Sequence, residues 1–409
     1  MDRPVAFGMC AGERPAYETV MRSRYATAAA LALAAAGGTT WLYTQGGLLA
    51  PALSLSLPLA IIFLPRAPWR STAALGYYLI GTASIPGAIH GYWGPGHGLY
   101  AYGGWIASSA LLALPWAFAR RPWQIAAATF ASGIPPLGII GWLSPCAASG
   151  VLWPHTGLAG FVLLAAFVWA IARTVSPWGR EKGLATRFDG ILACLILAGI
   201  LNGWQALRAA PPAPSGWRGV DTTVPPEHDS FGAALDDRLD VIAAGSMVPH
   251  RAKVLVFPEG VIDGWLWGTQ QEFAAAVPPG QTWLIGTVTE RSDAVTLARH
   301  GRVNPFPVTR AAAILFGGNW RPWSQRTLHP AWWQRPVDLD GQRTWVAICA
   351  EQLFPWVWME AALEHSTVVL AISNFWWARP GSAIPGIERA STRAYARLLG
   401  VPVITAINR

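Results

Sequence analysis

The chain has 409 residues, of which 53% are hydrophobic and only 13% charged, with a formal net charge of +8. Its mean hydropathy of +0.32 is too high for an ordinary soluble protein of this length. The four cysteines lie far apart in the sequence, which excludes a disulfide framework and a spaced metal site: Cys10, Cys146, Cys194 and Cys349. We therefore predict no metal and no cofactor.

The positive charge comes from arginine, since lysine occurs only at Lys182 and Lys253. No folded nucleic-acid-binding motif accompanies this charge, so we expect no nucleic-acid partner.

The first half of the chain consists of apolar stretches separated by short arginine clusters. Seven stretches come near the ~20 apolar residues that cross a bilayer, at roughly 26–43, 47–64, 72–93, 104–119, 124–143, 157–173 and 190–206. The sequence thus predicts an α-helical membrane bundle of about seven spans.

Loops rich in arginine alternate with loops that lack Lys and Arg. Under the positive-inside rule, this alternation places the N-terminus in the cytoplasm and the chain after the seventh stretch in the periplasm. We therefore expect a multi-pass protein of the bacterial inner membrane. A cleavable signal peptide is the competing interpretation of the first stretch. An ion-coupled transporter is the least favoured class, because the stretches are almost free of ionisable residues.

Composition changes abruptly after the seventh stretch. The predicted organisation is a cytoplasmic tail, a membrane bundle, a Pro/Ala/Gly-rich linker and a distal domain, at 1–24, 25–207, 208–218 and 219–409. The distal part alternates apolar strand patterns with amphipathic helical ones, which is typical of an α/β layered fold with a buried sheet. Predicted strands lie at 254–257, 283–289, 311–316, 344–348, 368–373 and 401–407, and predicted helices at 235–244, 356–363 and 387–399.

Two of these strands end in groups that can carry chemistry. Glu259 follows the strand at 254–257, Cys349 ends the strand at 344–348, and Glu351 lies two residues further on. Taken singly, such a cysteine is more often a small buried hydrophobe. Together the residues predict a thiol nucleophile, Cys349, with Glu259 as its base and Glu351 orienting the site.

The distal blocks resemble the carbon-nitrogen hydrolase (nitrilase) superfamily, whose members use a Glu-Lys-Cys triad in an αββα layered domain. Val-Phe-Pro-Glu at 256–259 is similar to its Glu block, and Ile-Cys-Ala-Glu at 348–351 to its Cys block. Ile-Ser-Asn at 372–374 with the following aromatics, and the Arg-Ala helix at 387–399, also fit. A membrane bundle joined to such a domain is similar to apolipoprotein N-acyltransferase.

The triad lysine is absent. An ungapped match of 323–330 to the lysine block of the family places Gln325 at the lysine, and no lysine follows Lys253. Gln325 can donate a hydrogen bond to an oxyanion but not a charge, and its neighbour Arg326 is the alternative source of a cation.

The Gln-Arg block, with Trp332 and Trp333 behind it, also resembles the TraB conjugal transfer proteins of plasmids, which end before the last membrane helix of the acyltransferases, as this sequence does. We expect Trp332, Trp333, Trp376 and Trp377 to bind substrate at a lipid-facing mouth, although tryptophans filling a core are an equal alternative.

Two functions follow from these resemblances. The first is an acyltransferase or amidase of a conjugation system, acting on a lipid-linked substrate with a membrane lipid as acyl donor. The second is a pseudo-enzyme that has lost turnover and serves as a membrane-anchored binding module for proteins of the conjugation apparatus.

Overall fold

The computed structural model describes residues 13–175, 185–207, 211–225, 231–249, 251–289, 292–311 and 330–409. In these ranges the first half of the chain is helical, with short 3₁₀ turns between some of the helices. The helices are α1 (Glu13–Leu42), α2 (Leu49–Leu53), α3 (Ser56–Phe63), α4 (Ala67–Gly81), α5 (Ile85–Trp93), α6 (Gly98–Phe118), α7 (Pro122–Ala131), α8 (Ala148–Leu152), α9 (Leu158–Val175) and α10 (Ala185–Ala206).

The predicted bundle of about seven membrane spans is wrong. Within the described ranges, α9 is the one helix that is both long and apolar enough to cross a membrane. The stretch at 47–64 breaks into α2 and α3, the stretch at 72–93 is divided between α4 and α5, and the stretch at 124–143 forms only the ten-residue α7 before the helix ends. Ten residues of helix rise about 15 Å, half of the hydrocarbon thickness of a bilayer.

A proline accounts for one of these breaks. Pro86 lies in the first turn of α5, where a missing N–H costs nothing and the fixed φ favours a new helix. Hydropathy counts apolar residues but does not register where a helix must stop. The predicted inner-membrane, multi-pass localisation, with a periplasmic distal domain, is wrong for the same reason, because it required the seven spans.

Arg70 shows why the charge pattern was misleading. This residue is only 5% exposed. Its guanidinium donates to the carbonyl oxygens of Leu64 at 3.1 Å, Pro65 at 3.0 Å and Ala117 at 2.9 Å. These carbonyls lie at the ends of α3 and α6, where helix carbonyls lack partners within the helix. Arg70 therefore stabilises helix ends, and does not mark a loop on one side of a membrane.

The second half of the chain combines strands and helices. In chain order its elements are β1 (Trp217–Gly219), α11 (Phe231–Ser246), β2 (Val254–Val256), β3 (Ile262–Asp263), α12 (Trp267–Ala276), β4 (Thr282–Val288), β5 (Asp293–Arg299), β6 (Arg302–Val303), β7 (Thr309–Arg310), β8 (Val337–Leu339), β9 (Gln342–Ile348), α13 (Pro355–Leu363), β10 (Val368–Asn374), α14 (Ile384–Leu399) and β11 (Val403–Asn408). Except for its first residue, the strand predicted at 311–316 lies outside the described residues.

The described strands form two mixed sheets. The first has the order β1-β2-β4-β5-β6, with β3 also paired to β4 and β7 to β5. In it β1, β2 and β4 are parallel and β5 is antiparallel to β4. The second has the order β11-β10-β9-β8, with only β8 antiparallel to its neighbour. A single parallel bridge between Thr222 and Asn408 links the chain beside β1 to β11.

The two sheets pack face to face and carry helices on their outer faces. Successive side chains of a strand point to opposite sides, so Val254 and Val256 enter the core between the sheets while Leu255 packs outward with residues of α11 and α12. On the other side, Trp345 and Val369 of the second sheet share one core with α13, α14 and the helices of the first half.

That shared core joins the two halves closely. A Cβ added to Gly150 in α8 would lie 1.8 Å from the carbonyl oxygen of Ala394 in α14, so the two helices pack backbone against backbone. The Trp356 indole N–H of α13 donates to the carbonyl oxygen of Gly138 at 3.0 Å. The helical half is therefore the support on which the second sheet rests.

Candidate active site at the strand ends

The parallel strands bring several polar residues to one edge of the sheets. Glu259 lies after β2, Cys349 directly after β9, and Asn374 and Asn408 are the last residues of β10 and β11. Carboxyl ends of parallel strands lie on the same side of a sheet, where α/β folds commonly place ligands. The structure thus brings the predicted Glu259 and Cys349 together, although they come from different sheets.

Cys349 has an unusual backbone. Its φ is +49°, in the left-handed region that a residue with a Cβ seldom adopts. The residue begins a 3₁₀ helix, Cys349–Leu353, and its side chain is partly exposed. Such strain persists only where the surroundings impose it, and it is frequent at functional sites.

Glu351 holds this turn in place. Its side chain is fully buried and accepts from the Ile348 backbone N–H at 2.9 Å and from Gln334 Nε2 at 3.2 Å. The first of these bonds links Ile348, directly before Cys349, to Glu351, two residues after it. The geometry therefore supports the orienting role predicted for Glu351, which remains a prediction.

Glu259 and Cys349 lie close enough that each shifts the pKa of the other. The carboxylate, which is 9% exposed, also accepts from the Asn374 backbone N–H at 3.0 Å. The Asn374 side-chain amide donates to the Glu259 backbone oxygen at 3.1 Å. Asn374 is the last residue of β10 in the second sheet, and Glu259 follows β2 in the first sheet. These hydrogen bonds therefore connect the two sheets at the site.

Two further carboxyl groups surround this pair, and the sequence did not reveal either. Asp293, the first residue of β5, is 6% exposed, and its charge acts on both Glu259 and Cys349. Glu388 of α14 is 3% exposed, and its charge acts on both Glu259 and Cys349. Charged side chains are rarely this buried without a function or partner. The sequence carried no signal for either residue, because nothing in it showed that these side chains would be buried.

A chain of hydrogen bonds fixes Glu388. Ser373 Oγ donates to Glu388 Oε1 at 3.0 Å, and Gln352 Nε2 donates to Ser373 Oγ at 2.7 Å. Thr392 Oγ1 in turn donates to Gln352 Oε1 at 2.7 Å. The second oxygen, Glu388 Oε2, is buried without a hydrogen-bond partner among the described residues.

Burial raises the pKa of Glu259, Glu388 and Cys349, and repulsion between negative charges adds to the rise at Glu259 and Cys349. Burial, followed by the charge of Asp293, raises the pKa of Glu259 well above its ordinary value. Burial raises the pKa of Glu388 to about 8. Burial and the negative charges of Glu259 and Glu388 raise the pKa of the Cys349 thiol. Among the described residues, the charged groups that shift the pKa of this thiol are all negative, which favours the protonated form of the sulfur.

Two predicted residues, Gln325 and Arg326, lie outside the described residues, so their predicted oxyanion roles stay predictions. The predicted tryptophans flank the site residues along the chain. Trp376 stacks on Tyr92 of α5 with ring centroids 5.5 Å apart, and its backbone N–H donates to Asn374 Oδ1 at 3.5 Å. Trp377 packs edge-on against Phe375 at 6.0 Å.

The other tryptophan pair precedes Gln334, the residue that binds Glu351. Trp332 lies 6.1 Å from Trp356 by ring centroids and is 43% exposed. Trp333 is 55% exposed and its indole N–H donates to Glu364 Oε1 at 3.0 Å. Substrate binding by these four residues remains a prediction. Within the described ranges no group of three or more His, Cys, Asp or Glu side chains could hold a metal ion.

Comparison with known proteins finds relatives along most of the chain. It is 28% identical over 403 residues to "Conjugal transfer protein TraB" of Agrobacterium fabrum, an alignment that covers 87% of this chain and 88% of the relative. It is 26% identical over 392 residues to "Probable conjugal transfer protein TraB" of Sinorhizobium fredii, covering 87% of this chain and 93% of the relative. No protein family model matches the chain. Neither relative's name states an enzymatic activity, so the resemblance to carbon-nitrogen hydrolases stays a prediction.

Proposed function

We propose that this chain takes part in plasmid conjugation and that its two-sheet half carries out acyl transfer with Cys349 as nucleophile. The names of both relatives support the first part. The observation that carries the second part is that Glu259 and Cys349 come together at the strand ends, where each shifts the pKa of the other and Cys349 has a strained backbone.

In this reaction Glu259 accepts the thiol proton as the sulfur of Cys349 attacks an ester or amide carbonyl carbon. A C–S bond forms, and the proton passes from Glu259 to the departing alcohol or amine as its bond to the carbonyl carbon breaks. A second amine or water then attacks the thioester and gives its proton to Glu259. The thiol leaves with that proton, which restores the starting state.

The carboxyl cluster makes Glu259 a stronger base than an isolated glutamate. A general base works best when its pKa lies near the working pH. Burial and the charge of Asp293 raise the pKa of Glu259, which brings it closer to that of the thiol it must deprotonate.

The acyl donor predicted from the sequence is a membrane lipid. In support of this proposal, aromatic rings extend from the site toward α5, where Trp376 stacks on Tyr92. Partly exposed rings of this kind suit an acyl chain with a polar head, since indole is apolar on its faces and donates a hydrogen bond at its edge.

The test uses purified full-length protein incubated with a p-nitrophenyl acyl ester. We expect a mass increase of one acyl group on the Cys349 peptide that hydroxylamine removes, since hydroxylamine cleaves thioesters. The Glu259→Gln variant should acylate at least about 10²-fold more slowly, the range that general-base catalysis contributes. A Cys194→Ala variant, which removes another partly exposed thiol, is the control and should acylate normally. Failure of Cys349 to acylate, although iodoacetamide alkylates it, would contradict the proposal.

A second candidate function is a binding module without turnover. The favouring observation is that the described groups acting on Cys349 are all acidic, so the thiol is not activated at rest. Mating assays separate the two candidates. Loss of plasmid transfer with Cys349→Ala, at unchanged protein level, supports chemistry, whereas full transfer by that variant supports the binding module.

A further inference from the structure

A cavity of about 730 Å³ lies away from the strand ends that carry the thiol. Its lining comes from both sheets and contains mainly polar residues: Pro214, Ser215, Trp217, Lys253, Gly280, Gln281, Thr282, Arg299, His300, Asp340 and Gln342. The volume falls in the range of about 300 to 1,000 Å³ that is usual for small-molecule sites.

The cavity lies at the other end of the strands from Glu259 and Cys349. Lys253 directly precedes β2, whereas Glu259 follows it, and Thr282 is the first residue of β4. Seven residues of strand extend about 20 Å. The cavity is therefore separate from the candidate active site, and the proposal made for it does not rest on the proposed acyl transfer.

The charges at the cavity are mostly positive. Lys253, Arg299 and His300 line it together with a single carboxylate, Asp340. Arg299 Nε donates to Thr282 Oγ1 at 3.0 Å, which fixes the plane of the guanidinium. In the described part of the chain, its terminal nitrogens make no hydrogen bond or ion pair, so they remain available to a ligand.

Gln281 adds a buried donor without a partner. The residue is 3% exposed, and its side-chain oxygen accepts from the Trp283 indole N–H at 3.0 Å. This bond fixes the orientation of the amide, since a flipped amide would set two donors against each other. The amide nitrogen then has no hydrogen-bond partner among the described residues. Buried donors in native proteins are seldom left unpaired.

We propose that this cavity binds the phosphate group of a small molecule. Arginine pairs with phosphate through two parallel N–H bonds, and lysine adds a point charge. The Arg299 guanidinium, the Lys253 ammonium and the Gln281 amide would supply these donors. A cavity of this volume also leaves room for the remainder of an organic phosphate.

The experiment is isothermal titration of the full-length protein with pyrophosphate at constant ionic strength, with acetate as a parallel ligand. Saturable pyrophosphate binding with little acetate binding is expected. Arg299→Gln should weaken it at least about tenfold, the loss typical of one charge-assisted hydrogen bond. Gln281→Glu keeps an acceptor for Trp283 but replaces the donor with an oxygen, so it should weaken binding further.

Arg302→Gln is the matched control. Arg302 is exposed, lies opposite Arg299 in the β5–β6 pairing and does not line the cavity. This variant should bind pyrophosphate like the unmodified chain, and all variants are first checked for unchanged melting temperature. Absence of saturable pyrophosphate binding, equal acetate binding, or an equal loss with Arg302→Gln would overturn the proposal.

Discussion

Asn374 holds Glu259 at two points: its backbone N–H binds the carboxylate at 3.0 Å, and its side chain binds the backbone oxygen at 3.1 Å. Asn408 Nδ2 donates to Asn374 Oδ1 at 2.9 Å and so fixes the amide. Since Glu259 belongs to the first sheet and both asparagines to the second, these bonds set how the sheets meet at their polar edge.

Replacing Asn374 by alanine should therefore lower the free energy of unfolding by about 1–2 kcal/mol, because its side-chain hydrogen bonds with Glu259, Asn408 and Trp376 are lost. Urea denaturation of purified protein measures this. Asn304→Ala is the control, since Asn304 uses only its backbone in the hydrogen bonds of the described structure. It should change stability by no more than about 0.5 kcal/mol. Equal losses in the two variants would show that the link to Glu259 contributes nothing.

The Cys349 thiol should react slowly with iodoacetamide at neutral pH. Burial and the charges of Glu259 and Glu388 raise its pKa, so little thiolate is present until the pH passes 9. Glu388→Gln removes a carboxyl group whose pKa is about 8 and whose negative charge raises the pKa of the thiol, so this variant should speed alkylation at pH 8 severalfold. Mass spectrometry of the Cys349 peptide over pH 7–10 gives both rates.

The control for this measurement is Glu272→Gln. It makes the same chemical change at a carboxylate on the outer helices that forms an ion pair with Arg238 at 3.3 Å. It should leave the alkylation rate of Cys349 unchanged. A wild-type rate that has already reached its plateau by pH 8 would mean that the thiol is ionised at rest, against the expectation.

Glu388 should make the protein less stable as the pH rises. Its pKa is raised from 4.5 to about 8 on folding. Between these values the unfolded chain releases the proton while the folded chain keeps it, so the free energy of unfolding falls with increasing pH. Glu388→Gln cannot ionise and keeps an acceptor for Ser373, so it should match the wild type at pH 4.5 and exceed it at pH 8 by at least about 1 kcal/mol.

Urea denaturation at a series of pH values tests this difference. Glu364→Gln, at a more exposed carboxylate that pairs with Arg343 at 3.2 Å, is the control. It should not gain stability over the wild type between pH 4.5 and 8. If the Glu388→Gln curve runs parallel to that of the wild type, Glu388 is ionised in the folded protein.

Gly286 leaves room for the turn that carries Glu259. A Cβ at this position in β4 would lie 2.0 Å from the Pro258 carbonyl oxygen and 2.7 Å from Glu259 Cα. Gly286→Ala should displace that turn, lower the free energy of unfolding by about 1–3 kcal/mol and raise the alkylation rate of Cys349 at pH 8. Gly268→Ala in α12, where no atom lies within 4 Å, should be neutral or slightly stabilising. If Gly286→Ala leaves the alkylation rate of Cys349 unchanged, Gly286 has no effect on the geometry of the site.

The sequence located the ends of the buried strands well. The prediction at 368–373 became β10, Val368–Asn374, and the one at 344–348 became β9, Gln342–Ile348, because uniformly apolar runs bounded by polar residues have few other structures available. The meeting of Glu259 and Cys349 followed from that placement. Asp293 and Glu388 were not predicted as site residues, because their burial depends on how β5 and α14 pack in three dimensions.

The prediction of seven membrane spans failed because it rested on composition and length alone. Apolar composition was clear in the first half, yet length and composition do not reveal that α2 and α3 are separate helices or that Arg70 is buried against helix ends. The predicted boundaries of the tail, linker and distal domain stay predictions.

Helix α14 connects the two halves of the molecule. Near its start it carries Glu388 into the carboxyl cluster, and further along Ala394 touches Gly150 of α8 while Arg397 hydrogen-bonds Asn202 of α10. A helix of 16 residues is about 24 Å long. One continuous helix therefore spans the distance from the packing surface of the helical half to the carboxyl cluster near Cys349.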